Sequence, residues 1–302
     1  MKGLPWDSWN PEAEITDLVG FIRDFHEKRR HRYKGCVIGL SGGLDSSVSA
    51  SLLVKALGAE KVFGLIMPAP QSYSRDQIAG QALADSLGIQ SKVFPIGGIL
   101  EAMGVDAANS TVDNDHIDFQ QDIKPLYQGQ VARTELPEVF FKYLVFPSVT
   151  LRTRFLVIGR FAEAMRYSRC QTLNRSEIVT LMWTPDADTG GDIALLSHLW
   201  KTQVYRMAEV MDLPPSVVTR LSGCGNHPML VSDEDQMGMP YLALDTVLWM
   251  LISGKTDDDI VAATDRTPDE VARLRDVVGP AQEHYRFPVT RWPLDKILGQ
   301  PV

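Results

Sequence analysis

A stretch near the start of the chain combines glycines, hydroxyls and one carboxylate at a spacing suited to phosphate chemistry. Residues 36–40 read as a buried strand, Ser-Gly-Gly-Leu-Asp-Ser follows at residues 41–46, and apolar residues then recur at helical spacing. Glycines let backbone N–H groups converge, and a helix N-terminus adds partial positive charge, so the pattern favours an anion. No Gly-Lys-Ser or Gly-Lys-Thr follows, which excludes a Walker A loop.

Asp45 is the one carboxylate in this turn. A carboxylate does not attract phosphate, and beside a phosphate site it is best explained as a ligand of Mg²⁺. An ordinary glycine-rich turn is the alternative. Because Ser-Gly-Gly-x-Asp-Ser after an apolar strand is far more specific than a lone pair of glycines, we interpret the stretch as a phosphate-binding loop. Its lysine must come from elsewhere in the chain.

Strands and helices alternate around this loop. Apolar strands are predicted at residues 36–40, 62–67 and 92–96, with a helix after the loop and another between Ser74 and Gly88. Apolar strands joined by helices form a parallel sheet covered on both faces, so we expect an α/β fold with a doubly wound, mostly parallel sheet. Ligands of such sheets bind at the carboxyl ends of the strands, where the Gly-Gly turn lies.

The rest of the chain is expected to belong to the same single domain, residues 1–302. Further elements are predicted as helices at 11–32, 149–164 and 200–211, a strand at 168–173, and C-terminal helices at 240–252, 256–263 and 267–278. Residues 104–147 lose the periodic pattern and are interpreted as an atypical insert. Its acidic run at residues 113–118 is either a metal cluster or, more simply, a solvated loop.

Composition narrows the possible functions. The formal net charge of −8 argues against nucleic acid or a membrane surface as the principal partner, although a nucleotide can still be bound locally. Cys36, Cys170 and Cys224 have no CxxC spacing, which suits a reducing compartment better than a disulfide framework or a zinc site. No apolar run reaches membrane-spanning length. We therefore expect a soluble, cytoplasmic protein.

The run at residues 41–46 resembles the phosphate loop of the N-type ATP pyrophosphatases, which split ATP between its α- and β-phosphates. Later segments narrow the resemblance to the ammonia-dependent NAD synthetases. Thr172 and Asn-Arg-Ser-Glu at residues 174–177 are similar to a signature of that family, although two of its glycines are replaced here. Asp192-Ile193 followed by Leu-Trp-Lys-Thr at residues 199–202 matches another family run.

This resemblance extends over residues 11–103 and 148–286 and implies an adenine nucleotide alpha hydrolase-like fold that uses ATP with Mg²⁺. It places Asp45 and Glu177 on the metal and Lys201 on the phosphates, and these three residues are the implied catalytic set. A metal and a lysine would offset the negative charge of the leaving pyrophosphate. The residues implied for ATP are Gly39, Leu40, Ser41, Gly42, Gly43, Leu44, Asp45, Ser46, Thr172, Lys201 and Ser222.

The resemblance is weaker on the side of the second substrate, which is deamido-NAD in the family. Arg152 and Asp192 stand at the positions of a substrate-binding arginine and aspartate. His284-Tyr285 replaces a His-Lys pair, and Pro185 replaces a further lysine. Each charge-assisted contact is worth about 1.5–3 kcal/mol, so losing two cations is not conservative.

Two explanations of these losses remain open. The protein is either a relative that adenylates a different carboxylate, or a divergent NAD synthetase in which Arg286 or Arg291 supplies the missing charge. We expect deamido-NAD to be a poor substrate, with specificity set by Pro185, Tyr285 and residues 104–147.

The implied reaction is an amide ligation. A carboxylate attacks the α-phosphate, pyrophosphate leaves, and ammonia, either free or from a separate glutaminase, displaces AMP. The family also implies a homodimer, paired through the helix that begins near Arg152. Sulfur transfer through Cys170 or Cys224 is one alternative. A nucleotide-binding module that no longer turns over is another, and the intact Asp45, Glu177 and Lys201 argue against it.

Overall fold

The computed structural model describes residues 4, 6–70, 74–105, 138–180, 182–184, 186–218, 232–281 and 289–290. The strands are β1 (Gly35–Gly39), β2 (Val62–Ile66), β3 (Gln90–Val93), β4 (Tyr167–Gln171), β5 (Ile193–Ala194) and β6 (Val289–Thr290). The helices are α1 (Pro11–Lys28), α2 (Leu44–Leu57), α3 (Ser74–Leu87), α4 (Gly97–Ala102), α5 (Glu138–Met165), α6 (Arg175–Val179), α7 (Lys201–Val210), α8 (Pro215–Val218), α9 (Asp233–Met237), α10 (Tyr241–Ile252), α11 (Asp257–Ala263) and α12 (Pro268–Ala281).

All six strands are parallel and lie in the order β3-β2-β1-β4-β5-β6. The order reverses between β1 and β4, which makes this junction the switch point where doubly wound sheets bind ligands. The glycine loop leaves the carboxyl end of β1 at that junction. The predicted doubly wound, mostly parallel α/β fold is therefore confirmed.

Side chains of β1 alternate between two apolar layers. Cys36 and Ile38 pack in a cluster with residues of α1, α2 and α7, whereas Val37 packs with residues of β2, α4 and α5. A third cluster joins α10, α11 and α12 to Trp6 and Trp200. Since both faces of β1 are buried, the strand is apolar throughout, and helices on each side fix the loop that follows it.

Several element bounds differ from expectation. The long helix α5 begins at Glu138 and runs through Pro147, so the irregular segment predicted for residues 104–147 does not extend to its expected end. Phe146 is fully buried between α5 and the sheet, and this packing holds the helix past the proline. Consequently Arg152 lies in the middle of a helix and not near its start.

Smaller differences occur at α1 and β3. Helix α1 ends at Lys28, earlier than predicted, and β3 lies at residues 90–93 instead of 92–96. The chain after β3 still bonds to its neighbour, because the Phe94 N–H donates to the Ile66 carbonyl at 2.8 Å.

The acidic run at residues 113–118 and Cys224 lie outside the described residues. Within the described part of the chain, no helix has both the length and the apolar composition needed to cross a membrane.

Candidate active site

The glycine loop is built by a left-handed residue and a network of hydroxyls. Gly42 has φ +70°, and a Cβ there would lie 2.5 Å from the Ala79 Cβ on α3. The Gly43 N–H donates to Ser41 Oγ at 3.2 Å, and Ser46 Oγ donates to the Gly43 carbonyl at 3.0 Å. No side chain caps the N-terminus of α2, so its first amides remain oriented toward the carboxyl edge of the sheet.

Gly42→Ala is expected to destabilise the protein because the loop cannot accept a Cβ. A left-handed alanine costs about 1–2 kcal/mol, and forcing the methyl against α3 adds about 1–3 kcal/mol. Thermal unfolding should show a midpoint lower by several degrees. Gly20→Ala is the matched control, since no atom lies within 4 Å of the added Cβ in the middle of α1, and it should be neutral or stabilising. An unchanged midpoint for Gly42→Ala would contradict this account of the loop.

Lys201 is the centre of the candidate site. It is the first residue of α7 and only 1% exposed. Its ammonium group forms an ion pair with Asp45, the second residue of α2, and lies 3.9 Å from Oε1 of Glu177 on α6. The N-termini of three helices thus bring together the three residues that the sequence implied as catalytic. They meet beside the glycine loop.

Asn174 connects two of these residues. Its side-chain Nδ2 donates to Asp45 Oδ1 at 3.0 Å, while its Oδ1 accepts from the Glu177 N–H at 3.0 Å as the N-cap of α6. Glu177 Oε2 in turn accepts from the Asn174 N–H at 3.0 Å. This capping box fixes the glutamate carboxylate in orientation. Asn174 belongs to the Asn-Arg-Ser-Glu motif, and the glutamate three residues after it is the sequence signal for this capping box.

The charges in the site depend on one another. Burial, followed by repulsion from Asp45, raises the pKa of Glu177 well above its usual range. Burial opposes the charge on Lys201, but the carboxylates of Asp45, Glu177 and Asp233 outweigh it and raise the pKa of the lysine. The site is therefore acidic around a single buried ammonium group, and a further cation would relieve the repulsion between its carboxylates.

Asp233 and Tyr241 complete the surroundings of Lys201, and sequence reasoning gave neither a role. The ring centre of Tyr241 lies 5.4 Å from the lysine Nζ, and the Tyr241 hydroxyl donates to Asp233 Oδ2 at 2.7 Å. Asp233 is buried, and its burial raises its pKa. Among the described residues, no group of three or more His, Cys, Asp or Glu side chains is arranged to hold a metal.

The other predicted site residues are distributed around the sheet. Thr172 directly follows β4 at the carboxyl edge and is half-buried. Arg152 is exposed on α5, and together with Arg154 it acts electrostatically on Asp188. Burial raises the pKa of Asp188 to about 6 in spite of these arginines and a hydrogen bond from the Thr184 N–H.

Asp192 lies at the opposite, amino edge of the sheet, directly before β5. It accepts hydrogen bonds from the Arg169 guanidinium at 3.0 Å and from the Tyr33 hydroxyl at 2.9 Å. Although burial acts in the other direction, these bonds hold the pKa of Asp192 below its usual value. Asp192 also lines a cavity of about 400 Å³ together with Arg32 and Arg166.

The structure thus brings Asp45, Glu177 and Lys201 together but separates Asp192 from them within one chain. Ser222, His284 and Tyr285 lie outside the described residues. The roles assigned to them, and those of Arg152 and Asp192 toward a substrate, stay predictions.

The doubly wound parallel sheet, with a glycine loop of the type Ser-Gly-Gly-x-Asp-Ser at its switch point, is the adenine nucleotide alpha hydrolase-like fold that the sequence implied. The family model described as NAD synthase matches residues 14–125 and 107–288, so the chain belongs to the NAD synthase family. It is an enzyme of the ligase class that forms carbon–nitrogen bonds.

Individual relatives agree with this assignment. The chain is 30% identical over 283 residues to the NH₃-dependent NAD⁺ synthetase of Thermotoga neapolitana, covering 90% of this chain and 94% of the relative. Among solved structures, NMN synthetase from Francisella tularensis matches with a TM-score of 0.67 and 21% identity, over 93% and 99% of the two chains. NH₃-dependent NAD synthetase from Campylobacter jejuni matches with a TM-score of 0.63 and 20% identity, over 90% and 95%. These structural likenesses confirm the fold.

Proposed function

We propose that the protein is an ammonia-dependent, AMP-forming amide ligase. A carboxylate oxygen of the substrate attacks the α-phosphorus of ATP, the bond to the bridging oxygen breaks, and pyrophosphate leaves. Ammonia then attacks the acyl carbon of the acyl adenylate, AMP leaves with the electron pair of the broken bond, and the amide forms. The observation that carries this proposal is the buried ammonium group of Lys201, held by Asp45 and Glu177 beside the glycine loop.

The loop and its surroundings suit ATP. Amides at the start of α2 and the hydroxyls of Ser41 and Ser46 supply hydrogen-bond donors for phosphate oxygens. Thr172 follows the neighbouring strand at the same edge of the sheet. We place the triphosphate here, with Lys201 offsetting the charge that develops on the leaving pyrophosphate.

Asp45 and Glu177 are our proposed ligands of Mg²⁺. Both present carboxylate oxygens, the donors that this ion prefers, and two carboxylates together with substrate phosphates are its usual protein environment. Burial and, after it, repulsion from Asp45 raise the pKa of Glu177, and a cation beside the two carboxylates would offset both effects. When bound, the ion would supply charge neutralisation at the pyrophosphate. The residues of the chain orient the reacting groups and exclude water.

For the second substrate we propose a carboxylic acid, with deamido-NAD as the first acid to test. The NH₃-dependent NAD⁺ synthetases that are about 30% identical support that choice. Arg152 is exposed on α5, and a guanidinium can bind a carboxylate or phosphate bidentately. Ammonia is proposed to come free from solution or from a separate glutaminase.

Measuring pyrophosphate release tests the proposed function. The wild-type protein with ATP, Mg²⁺, ammonium and candidate acids should release pyrophosphate only when an acid is present, and should form AMP and amide in equal amounts. Sulfur transfer would require a thiol donor and would form no amide. Cys170 is buried, which does not favour it as a sulfur carrier. The absence of pyrophosphate release with every acid would contradict the proposal.

We also propose that the protein is a homodimer of the cytoplasm. Helix α5 carries Leu156, whose side chain is 69% exposed, on the helix implied to form the interface. We expect a dimer by light scattering at micromolar concentration and a shift toward monomer for Leu156→Glu. Ile78→Glu on α3 is the matched control, since Ile78 is 67% exposed and should not affect the mass. A wild-type monomer at that concentration would refute the dimer.

A further inference from the structure

We infer that Asp245 on α10 is a positioning residue that sets the distance between Lys201 and Glu177. The inference rests on the proposed function, because it concerns the adenylation step. Asp245 is fully buried, and it acts through the backbone next to the functional side chains.

One carboxylate joins the N-termini of two helices. Asp245 Oδ2 accepts from the Thr202 N–H at 2.8 Å and from Thr202 Oγ1 at 2.6 Å, at the start of α7. Its Oδ1 accepts from the Ser176 hydroxyl on α6. Ser176 Oγ in turn accepts from the Lys201 N–H at 2.9 Å. The first two backbone amides of α7 therefore donate to members of this network, Lys201 to Ser176 and Thr202 to Asp245.

The contacts lie one residue away from the functional groups. Ser176 directly precedes Glu177, and Thr202 directly follows Lys201. Helix α6 has only five residues and cannot hold its own orientation. Its position relative to α7 is held by the Arg175 N–H, which donates to the Leu199 carbonyl at 2.8 Å, by the bond between Ser176 and Lys201, and by Asp245, which accepts from the Ser176 hydroxyl and from Thr202. Tyr241 lies one turn earlier on α10, and its ring faces the lysine Nζ, so one face of α10 supports both the backbone and the side chain of Lys201.

Only a carboxylate satisfies this arrangement. Three donors converge on Asp245, namely two hydroxyls and one amide, and an ionised carboxylate accepts from all of them because it carries no donor hydrogen. An asparagine would direct its NH₂ group either at the Thr202 N–H, which cannot accept, or at Ser176 Oγ, whose own hydroxyl hydrogen would then lose its acceptor. At least one bond would be lost, and the start of α6 or α7 would shift.

Asp245→Asn tests the inference. A misplacement of about 1 Å can cost about 10²-fold in rate, so we expect kcat for pyrophosphate release to fall by about that factor. The KM for ATP should stay within about threefold, because the loop that binds the phosphates is unchanged. ATP-binding stoichiometry should stay near one per chain. A merely structural role would lower kcat only in proportion to the loss of binding-competent protein.

Two further variants complete the experiment. Thr246→Val is the matched control, since Thr246 is buried on the same helix and its hydroxyl donates only to the Leu242 carbonyl at 2.7 Å. It should leave kcat unchanged. Thr202→Val removes one of the three donors and should lower kcat by a smaller factor, which decides the question if Asp245→Asn does not fold.

The inference is overturned if kcat of Asp245→Asn equals that of the wild type, if it falls only with ATP-binding stoichiometry, or if Thr246→Val loses as much. An unchanged kcat in Thr202→Val overturns it where the asparagine variant is insoluble. Absence of pyrophosphate release by the wild-type protein would instead contradict the proposed function.

Discussion

Pyrophosphate release is expected to be abolished, by about 10³-fold or more, in Asp45→Ala and in Glu177→Ala. Each substitution removes a proposed metal ligand from the leaving group and one of the carboxylates that orient Lys201. Folding should survive, because the lysine keeps a partner in either variant. Glu177 remains 3.9 Å from its Nζ when Asp45 is removed, and Asp45 remains when Glu177 is removed. The measurement is pyrophosphate release at saturating Mg²⁺, with thermal unfolding run in parallel.

Asp258→Ala provides the control for these two variants. Asp258 is an exposed carboxylate on α11, away from the glycine loop, and its removal changes the net charge by the same amount. It should leave the rate unchanged. Normal turnover of Asp45→Ala or Glu177→Ala at saturating Mg²⁺ would contradict the assignment of both residues.

The core of this site could be predicted from the sequence, but for two different reasons. The loop at residues 41–46 can be predicted from the local sequence alone, because glycines, hydroxyls and a carboxylate between an apolar strand and a helix are typical of a phosphate-binding loop. Lys201 lies 156 residues from Asp45, and no spacing rule joins them. The family resemblance supplied that pairing. The fold explains it, since loops at the carboxyl ends of neighbouring parallel strands meet at one edge.

The rest of the site depends on tertiary contacts that carry little sequence signal. Strands β5 and β6 have two residues each, too few for periodicity to reveal them. Helix α5 passes through Pro147 because Phe146 is buried, and a proline alone predicts the opposite. Asp233 is buried beside Tyr241, whose hydroxyl donates to it, and the sequence carries no signal for this contact.

Deamido-NAD is expected to be a poor substrate, with kcat/KM about two decades below the 10⁴ M⁻¹s⁻¹ or so of ordinary enzymes. The argument is electrostatic. A dinucleotide brings a pyrophosphate whose charge needs basic partners, and the lysines expected from the family resemblance are Pro185 and Tyr285. Asp192 is already engaged by Arg169 and Tyr33 at the far edge of the sheet. Arg152 alone suits a smaller acid better than a dinucleotide.

Steady-state kinetics with a rescue variant decide between the two explanations. Either the protein uses a different carboxylic acid, or an arginine replaces the lost lysines and deamido-NAD is the substrate. Losing two contacts of about 1.5–3 kcal/mol each should lower kcat/KM for deamido-NAD by about 10²-fold or more, since a tenfold change corresponds to about 1.4 kcal/mol. Pro185→Lys combined with Tyr285→Lys should recover most of that rate with deamido-NAD. The same positions changed to glutamine provide the uncharged control and should recover none of it. A wild-type kcat/KM of about 10⁴ M⁻¹s⁻¹ or above would show this prediction wrong and would favour the other explanation, a divergent NAD synthetase in which Arg286 or Arg291 supplies the missing charge.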